Sequence, residues 1–313
     1  MTKTKSAPKK DQNLNPPDME SPATECKEIY LESPPSLAEF QRTLYCAYRS
    51  HDDYGYLCVT SSMDGSTWYT PPSKCKDIEM GSAPSLAAFG DKLYCAFKKK
   101  TDDCFLCVTF SPNGSDWYAP AIECKGIKIQ GTPSLAVFNN KLYCAFKSND
   151  LRNALYITYS EDGKHWMEPA TELSGIQMGF ETSPSLAVFN NRLYCAIRSN
   201  DPRNELYVSS SSDGSTWTTP AIEVVGVFMG SSPSLAASNQ GLYCAFLAND
   251  PRNILYITTS EDGKHWLTPQ DYPDIKSGSR FALAYWSGQS REKLTCAFKS
   301  YDWRNVMYAT SSK

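Results

Sequence analysis

Short apolar and β-branched runs of about six residues alternate with Asn, Asp and Gly clusters along most of the chain. Residues 133–176 read "PSLAVF", "NNK", "LYCAFKS", "NDLRN", "ALYITYS", "EDGKHW" and "MEPATELSGI". Runs this short, bounded by turn residues, predict antiparallel strands and not helices. In "PSLA" the small Ser and Ala share one face, and Leu shares the other with the next large residue. Such a strand suits a sheet packed on both sides.

The pattern repeats. "PSLA" begins at Pro35, Pro84, Pro133, Pro184 and Pro233, and "FALA" at Phe281 is a sixth, altered copy, giving spacings of 49, 49, 51, 49 and 48. Four strands per unit of this length predict an all-β, six-bladed β-propeller of four-stranded blades. A solenoid, the other repeat architecture, would want capping units, and none is visible. The sixth unit ends at "MYATSSK", after its third strand. "MESPATECKEI" (19–29) resembles "MEPATELSGI" (167–176), so the N-terminal strand is expected to close the last blade and remove its open edge. Residues 1–18, rich in Lys, Pro, Asn and Asp, are expected to be a disordered tail, with one domain over 19–313.

Composition narrows the function. A net charge of −3 predicts no nucleic-acid partner, and no apolar run reaches membrane-spanning length. No secretory signal is visible at the N-terminus. Cys46, Cys95, Cys144, Cys195, Cys244 and Cys296 occupy equivalent slots, expected about 10 Å apart. A disulfide needs Cα atoms within about 7 Å. Reduced thiols and a cytoplasmic location follow. "CFLC" (104–107) has Cys-x-x-Cys spacing but no second pair, so neither a metal nor a cofactor is expected.

The third and fourth strands are joined by "SMDGSTW" (62–68), "SPNGSDW" (111–117), "SEDGKHW" (160–166 and 260–266) and "SSDGSTW" (211–217). Asp or Asn binds backbone N–H groups there, Gly supplies positive φ, and Trp packs beneath. These turns resemble a shortened Asp box of the sialidase-like propellers, across nearly the whole chain from residue 19. For enzymes of that family the resemblance implies an arginine triad, an Arg-Ile-Pro segment, a Tyr/Glu pair and an acid/base Asp. No Arg-Ile-Pro occurs here, and the arginines sit at equivalent repeat positions. Sialidase activity is therefore not expected. In that family the Asp boxes lie on the face opposite the active site. Fungal fucose-binding lectins are six-bladed too, but their repeat motifs are not found.

On the other face, four second-to-third-strand loops share a motif, "NDLRN" or its relatives. They carry Asp150, Arg152 and Asn153; Asp201, Arg203 and Asn204; Asp250, Arg252 and Asn253; and Trp303, Arg304 and Asn305. Second strands end in Arg49, Lys98, Lys147, Arg198 and Lys299. The connection "MGFETS" (178–183) is longer than its peers and places Phe180 and Glu181 on the same face. Arg and Asn offer directed hydrogen bonds to sugar hydroxyls and carboxylates, and Trp303 offers a stacking surface. The expected function is a non-catalytic, lectin-like propeller with repeated sites for a glycan or another small polar or anionic ligand. The alternatives are a single-pocket enzyme (a glycosidase, or an isomerase or cyclase) and a scaffold that presents the loop face to a protein partner. For each loop the competing reading is local: Asp pairs with Arg, and Asn stabilises the turn.

Overall fold

The computed structural model describes residues 14–150, 152–288 and 291–313. Among them there is no helix. A strand β1 (Thr24–Tyr30) precedes the repeats. Repeat one forms β2 (Ser36–Phe40), β3 (Thr43–Arg49), β4 (Tyr56–Ser62) and β5 (Ser73–Glu79). Repeat two forms β6 (Ser85–Phe89), β7 (Lys92–Lys98) and β8 (Phe105–Ser111), and β9 (Ile122–Phe138) runs on into repeat three. There follow β10 (Lys141–Ser148), β11 (Ala154–Ser160) and β12 (Thr171–Gln177). Repeat four holds β13 (Ser185–Phe189), β14 (Arg192–Arg198), β15 (Glu205–Ser211) and β16 (Ile222–Phe228). Repeat five holds β17 (Ser234–Ala237), β18 (Leu242–Leu247), β19 (Ile254–Ser260) and β20 (Gln270–Lys276). Repeat six ends with β21 (Ala282–Trp286), β22 (Lys293–Lys299) and β23 (Val306–Ser311).

These strands build a β-propeller. Four sheets are four-stranded meanders: β2 to β5, β13 to β16, β17 to β20, and β21-β22-β23 with β1 on the outer edge. Thr24 pairs with Ala309 and Cys26 with Met307, so β1 lies antiparallel to β23. The fifth sheet has seven strands, β6 to β12, where the repeat predicts two separate blades. The cause is local. Just past β1, β5, β12 and β16 a single bridge ties the chain to the second-to-third-strand loop of the next unit, as Leu31–Ser50, Met80–Lys99, Met178–Ser199 and Met229–Ala248. At Ile129–Ser148 the same bridge gains the neighbouring pair Gln130–Lys147, and two strands merge into the 17 residues of β9.

The core lies between sheets. Leu155, Ile157 and Leu173 pack against Leu186, Cys195 and Ile197 of the next unit, and similar clusters follow around the ring. Apolar burial on both faces explains why inner strands such as β7 and β10 lack a polar side, while outer strands such as β5 and β20 keep one. All twelve cysteines are free, most of them buried in these interfaces.

The expected tail lies mostly outside the described residues. Leu14 to Asp18 are described, however, and they are docked. Leu14 is 5% exposed, its N–H donates to Glu261 Oε1 at 2.8 Å, and its carbonyl accepts from Thr259. The Pro17 carbonyl accepts from the Tyr272 hydroxyl and the Asp18 carbonyl from Lys313 N–H, so these contacts and the buried Leu14 hold a segment whose composition suggested disorder.

The ends of the sheets differ in chemistry. At one end lie the Ser-x-Asp-Gly turns. In one of them Asp213 Oδ1 accepts the N–H groups of Ser215 and Thr216 at 2.8 and 2.7 Å. Gly214 has φ 81°, and a Cβ there would fall 2.0 Å from the Tyr143 hydroxyl of the preceding repeat. At the other end the second-to-third-strand loops meet the connections between repeats, as Met178 N–H donates to the Asn153 carbonyl.

Candidate functional site

The loop motif is first a backbone device. Asn153, Asn204, Asn253 and Asn305 all adopt φ of 54–56°, a left-handed conformation that Asn tolerates better than most residues. Repeat one has Gly55 in this place, at φ 66°. The Asp of each loop closes the turn: Asp150 Oδ1 accepts from Ser148 Oγ and Arg152 N, and Asp302 Oδ1 from Ser300 Oγ and Arg304 N.

Three of the four arginines then fold back on their own loops. Arg152 binds Asp150, Glu172 and Tyr156. Arg252 binds Asp250 and Asp271, and Arg304 binds Asp302, Glu25 and Tyr308. The Asp150 carboxylate, then Tyr156 and Glu172, raise the Arg152 pKa further. These loops are internally satisfied, as the local reading anticipates.

The fourth copy differs. Glu205 stands where the other loops have Ala154, Ile254 and Val306, and its side chain is 2% exposed. Arg203 turns to it, with Nη2 3.0 Å from Oε2, and to Glu223 at 3.6 Å. The first contact is misaligned for a hydrogen bond, so Glu205 Oε2 is buried without one. Burial raises the Glu205 pKa above its ordinary value. Asp201 thereby keeps only backbone donors, Arg203 N at 2.8 Å and Asn204 N at 3.1 Å, both on Oδ1. Its Oδ2 has no hydrogen-bond partner among the described residues. Ser199 Oγ, the counterpart of Ser148 and Ser300, is likewise without a partner, although Ser199 is only 6% exposed.

Both residues line a cleft of about 360 Å³ between repeats three and four, with Gln177, Tyr207 and Pro220. The equivalent cleft between repeats five and six, about 280 Å³, is lined by Lys276, Ser300, Tyr301, Asp302 and Tyr308. Its Asp302 is occupied by Arg304 Nε at 2.7 Å. The polar cleft therefore recurs around the ring, but its acid is free in repeat four alone among these loops.

The basic second-strand ends fall into separate environments. Lys147 is 1% exposed, its ammonium donating to the Gly179 carbonyl at 3.2 Å and lying 5.7 Å from the Phe180 ring. Arg198 Nη2 donates to the Phe180 carbonyl at 3.0 Å, while its Nε is buried without a partner. Burial lowers the pKa of both, each then repelled or restored by its charged neighbours: Arg198 acts on Lys147, and Glu181 on both. The long connection thus gathers Lys147, Arg198, Phe180 and Glu181 in one place. Arg49 instead packs on its own loop, against Gly55. Lys299 ends β22 half-buried, with no cluster of this kind around it. Trp303 is 88% exposed and Phe180 64%, open aromatic faces on the loop side.

No family model matches the chain, and no curated protein matches it. Solved structures do. AofleA from Arthrobotrys oligospora, in a triple arginine-to-alanine form, superposes with a TM-score of 0.69 over 95% of this chain and 86% of its own, at 10% identity. Phage phi92 endosialidase gives 0.66 over 95% of this chain and 69% of its own, at 11% identity. A subtype N10 neuraminidase-like protein of A/little yellow-shouldered bat/Guatemala/060/2010 gives 0.62 over 95% and 99%, at 9% identity. The fold is a sialidase-like β-propeller. At these identities the likeness speaks for the fold alone.

Sequence reasoning named Asp201, Arg203 and Lys147 but missed the residues that set them apart. Glu205 was legible only as one departure among several in a repeat. Ser199 is present in the quoted loop and looked like its neighbours. Arg280 sits just before the altered sixth copy of "PSLA".

Proposed function

We propose that this chain is a non-catalytic, carbohydrate-binding propeller whose sugar sites lie in the clefts between repeats on the loop face. In this reading the ring has six blades, β9 serves two of them, and β1 completes the last. The Ser-x-Asp-Gly turns act as a shortened Asp box on the opposite face. A cytoplasmic location belongs to the same proposal and rests on twelve cysteines without a disulfide.

The observation that carries the reading is the release of Asp201 by Glu205 beside the unpartnered Ser199. A carboxylate with a free oxygen accepts hydrogen bonds from adjacent sugar hydroxyls, and a serine hydroxyl both donates and accepts. A buried polar group without a partner is costly and is relieved by a ligand that supplies one. The cleft between repeats five and six offers a second, weaker site once Arg304 is displaced. Two such sites bind a branched or repeated glycan with avidity.

A glycan array of neutral and acidic sugars, followed by calorimetry on the hits, tests this. Binding is expected to weaken at least tenfold in Asp201→Ala and several-fold in Ser199→Ala, with Arg152→Ala close to wild type. An array without hits, or hits indifferent to both substitutions, would sink the proposal.

One observation favours a second reading, a single-pocket enzyme. Lys147 is a buried ammonium of lowered pKa beside Arg198 and Glu181, and such groups concentrate at reactive sites. Turnover of a glycoside or a small polar substrate, abolished by Glu181→Gln or Lys147→Met, would establish it.

A further inference from the structure

The serines of "PSLA" are more than small packing residues. Ser36 Oγ accepts the N–H of Leu86 at 2.9 Å, and Ser85 that of Leu135 at 2.9 Å. Ser134 accepts from Leu186 at 2.9 Å, Ser185 from Leu235 at 2.8 Å, and Ser234 from Leu283 at 2.9 Å. Each hydroxyl thus ties one innermost strand to the next around the central channel. Accepting an N–H uses a lone pair and leaves the O–H hydrogen free. None of the five hydroxyls donates to an acceptor among the described residues.

The sixth tie is absent. The position that would receive Leu37 N–H is Ala282, whose methyl offers no oxygen. Two residues before it, Arg280 lines the same channel. Arg280 is half-buried; its backbone carbonyl accepts from Ser279 Oγ at 3.1 Å, while its guanidinium has no hydrogen-bond or ion-pair partner among the described residues. Burial alone acts on its guanidinium, drawing the pKa down to about 10, so it stays a cation at neutral pH. Among the described residues no Asp or Glu lines the channel, whose other lining residues are Pro, Ser, Leu, Phe and Ala.

We propose that the mouth of the central channel is a binding site for one small inorganic oxyanion of the sulfate or phosphate class, held by Arg280 and the ring of serine hydroxyls. The lining offers donors and one positive charge but no anionic acceptor, which suits an anion and repels a metal ion. The channel volume of about 90 Å³ is several times the roughly 10–15 Å³ that one water needs on the same measure. That is room enough for a sulfate. The site is separate from the clefts between repeats and stands or falls independently of sugar binding there.

Calorimetry with sodium sulfate and sodium phosphate at constant ionic strength tests the assignment on the full chain. Saturable binding of one anion per chain is expected, weakened at least tenfold in Arg280→Gln and less in Arg280→Lys. Unchanged affinity in a folded Arg280→Gln variant overturns it. Crystals of the wild-type chain grown in sodium selenate give a readout that does not depend on any variant. An anomalous selenium peak within the channel beside Arg280 is expected, and its absence, or peaks on the outer surface only, overturns the proposal. Glucuronate should not displace sulfate. Displacement at equal concentration would make the channel part of a sugar-acid site and overturn the inorganic-ion assignment.

Discussion

Arg203 has three carboxylates around it, Asp201 in its own turn, Glu205 at the start of the next strand and Glu223 on the fourth, and it turns to the last two. In the three sister loops, an apolar residue at the Glu205 position leaves the arginine only the Asp and the fourth-strand acid. Glu205→Val should therefore return Arg203 to Asp201 and close the cleft, with ligand binding lost tenfold or more by calorimetry. The same change tests the buried carboxyl. With its pKa raised in the folded chain, Glu205 costs stability when it ionises. The folded chain is unpenalised below the unfolded value of about 4.3 and loses stability as pH rises through the raised value. The gap in urea midpoint between Glu205→Val and wild type should widen from pH 4 to pH 7. The sequence displayed the loop and its charges. It did not display which oxygen the guanidinium chooses, because that depends on side-chain reach across two strands.

At the scale of strands and turns, the repeat is held by contacts from one unit to the next. Tyr45, Tyr94, Tyr143 and Tyr194 of the second strands lie against Gly114, Gly163, Gly214 and Gly263 of the following units. Tyr94 and Tyr194 also donate to the carbonyls of Asp162 and Asp262, each at 3.2 Å. Where "LYCA" becomes "LTCA", Thr295 meets Gly65 and accepts the Trp286 indole N–H at 2.9 Å. That exception falls where repeat six meets repeat one. Gly214→Ala combines a left-handed φ with a clash into Tyr143 and should cost about 2 kcal/mol or more by denaturant titration. Ser134→Ala leaves the Leu186 N–H unsatisfied and should cost about 1–3 kcal/mol. Ala282→Ser offers Leu37 the missing acceptor and should stabilise by about 0.5–1.5 kcal/mol. The sequence marked Tyr, Gly and Ser as recurring. Their partners lie some 50 to 70 positions away, beyond any local pattern.

Across the whole molecule, β1 covers the edge of β23 and the Ser-x-Asp-Gly turns recur from unit to unit. Removing residues 14–30 exposes the edge of β23 and undocks Leu14. The truncated chain should melt at a lower temperature and self-associate in size-exclusion chromatography. The turns give a pH signature. Backbone N–H groups of His165 and Lys164 hold Asp162 below the usual carboxylate range, and those of Thr216 and Ser215 do the same for Asp213. Stability from such groups is present above their unfolded pKa of about 3.9 and is lost as pH falls through the folded value. The urea midpoint should drop steeply below pH 4, and less steeply in Asp213→Asn. The sequence by itself determined the strands, the turns and the propeller, because hydrophobic alternation and Asx chemistry act within a few residues. Only the tertiary structure decided that two units share β9, that Arg203 abandons Asp201, and that Arg280 faces a ring of serine hydroxyls. The first and last arise from strands that only the packing of one unit on another brings together, and the Arg203 choice from side-chain geometry that residue spacing does not fix.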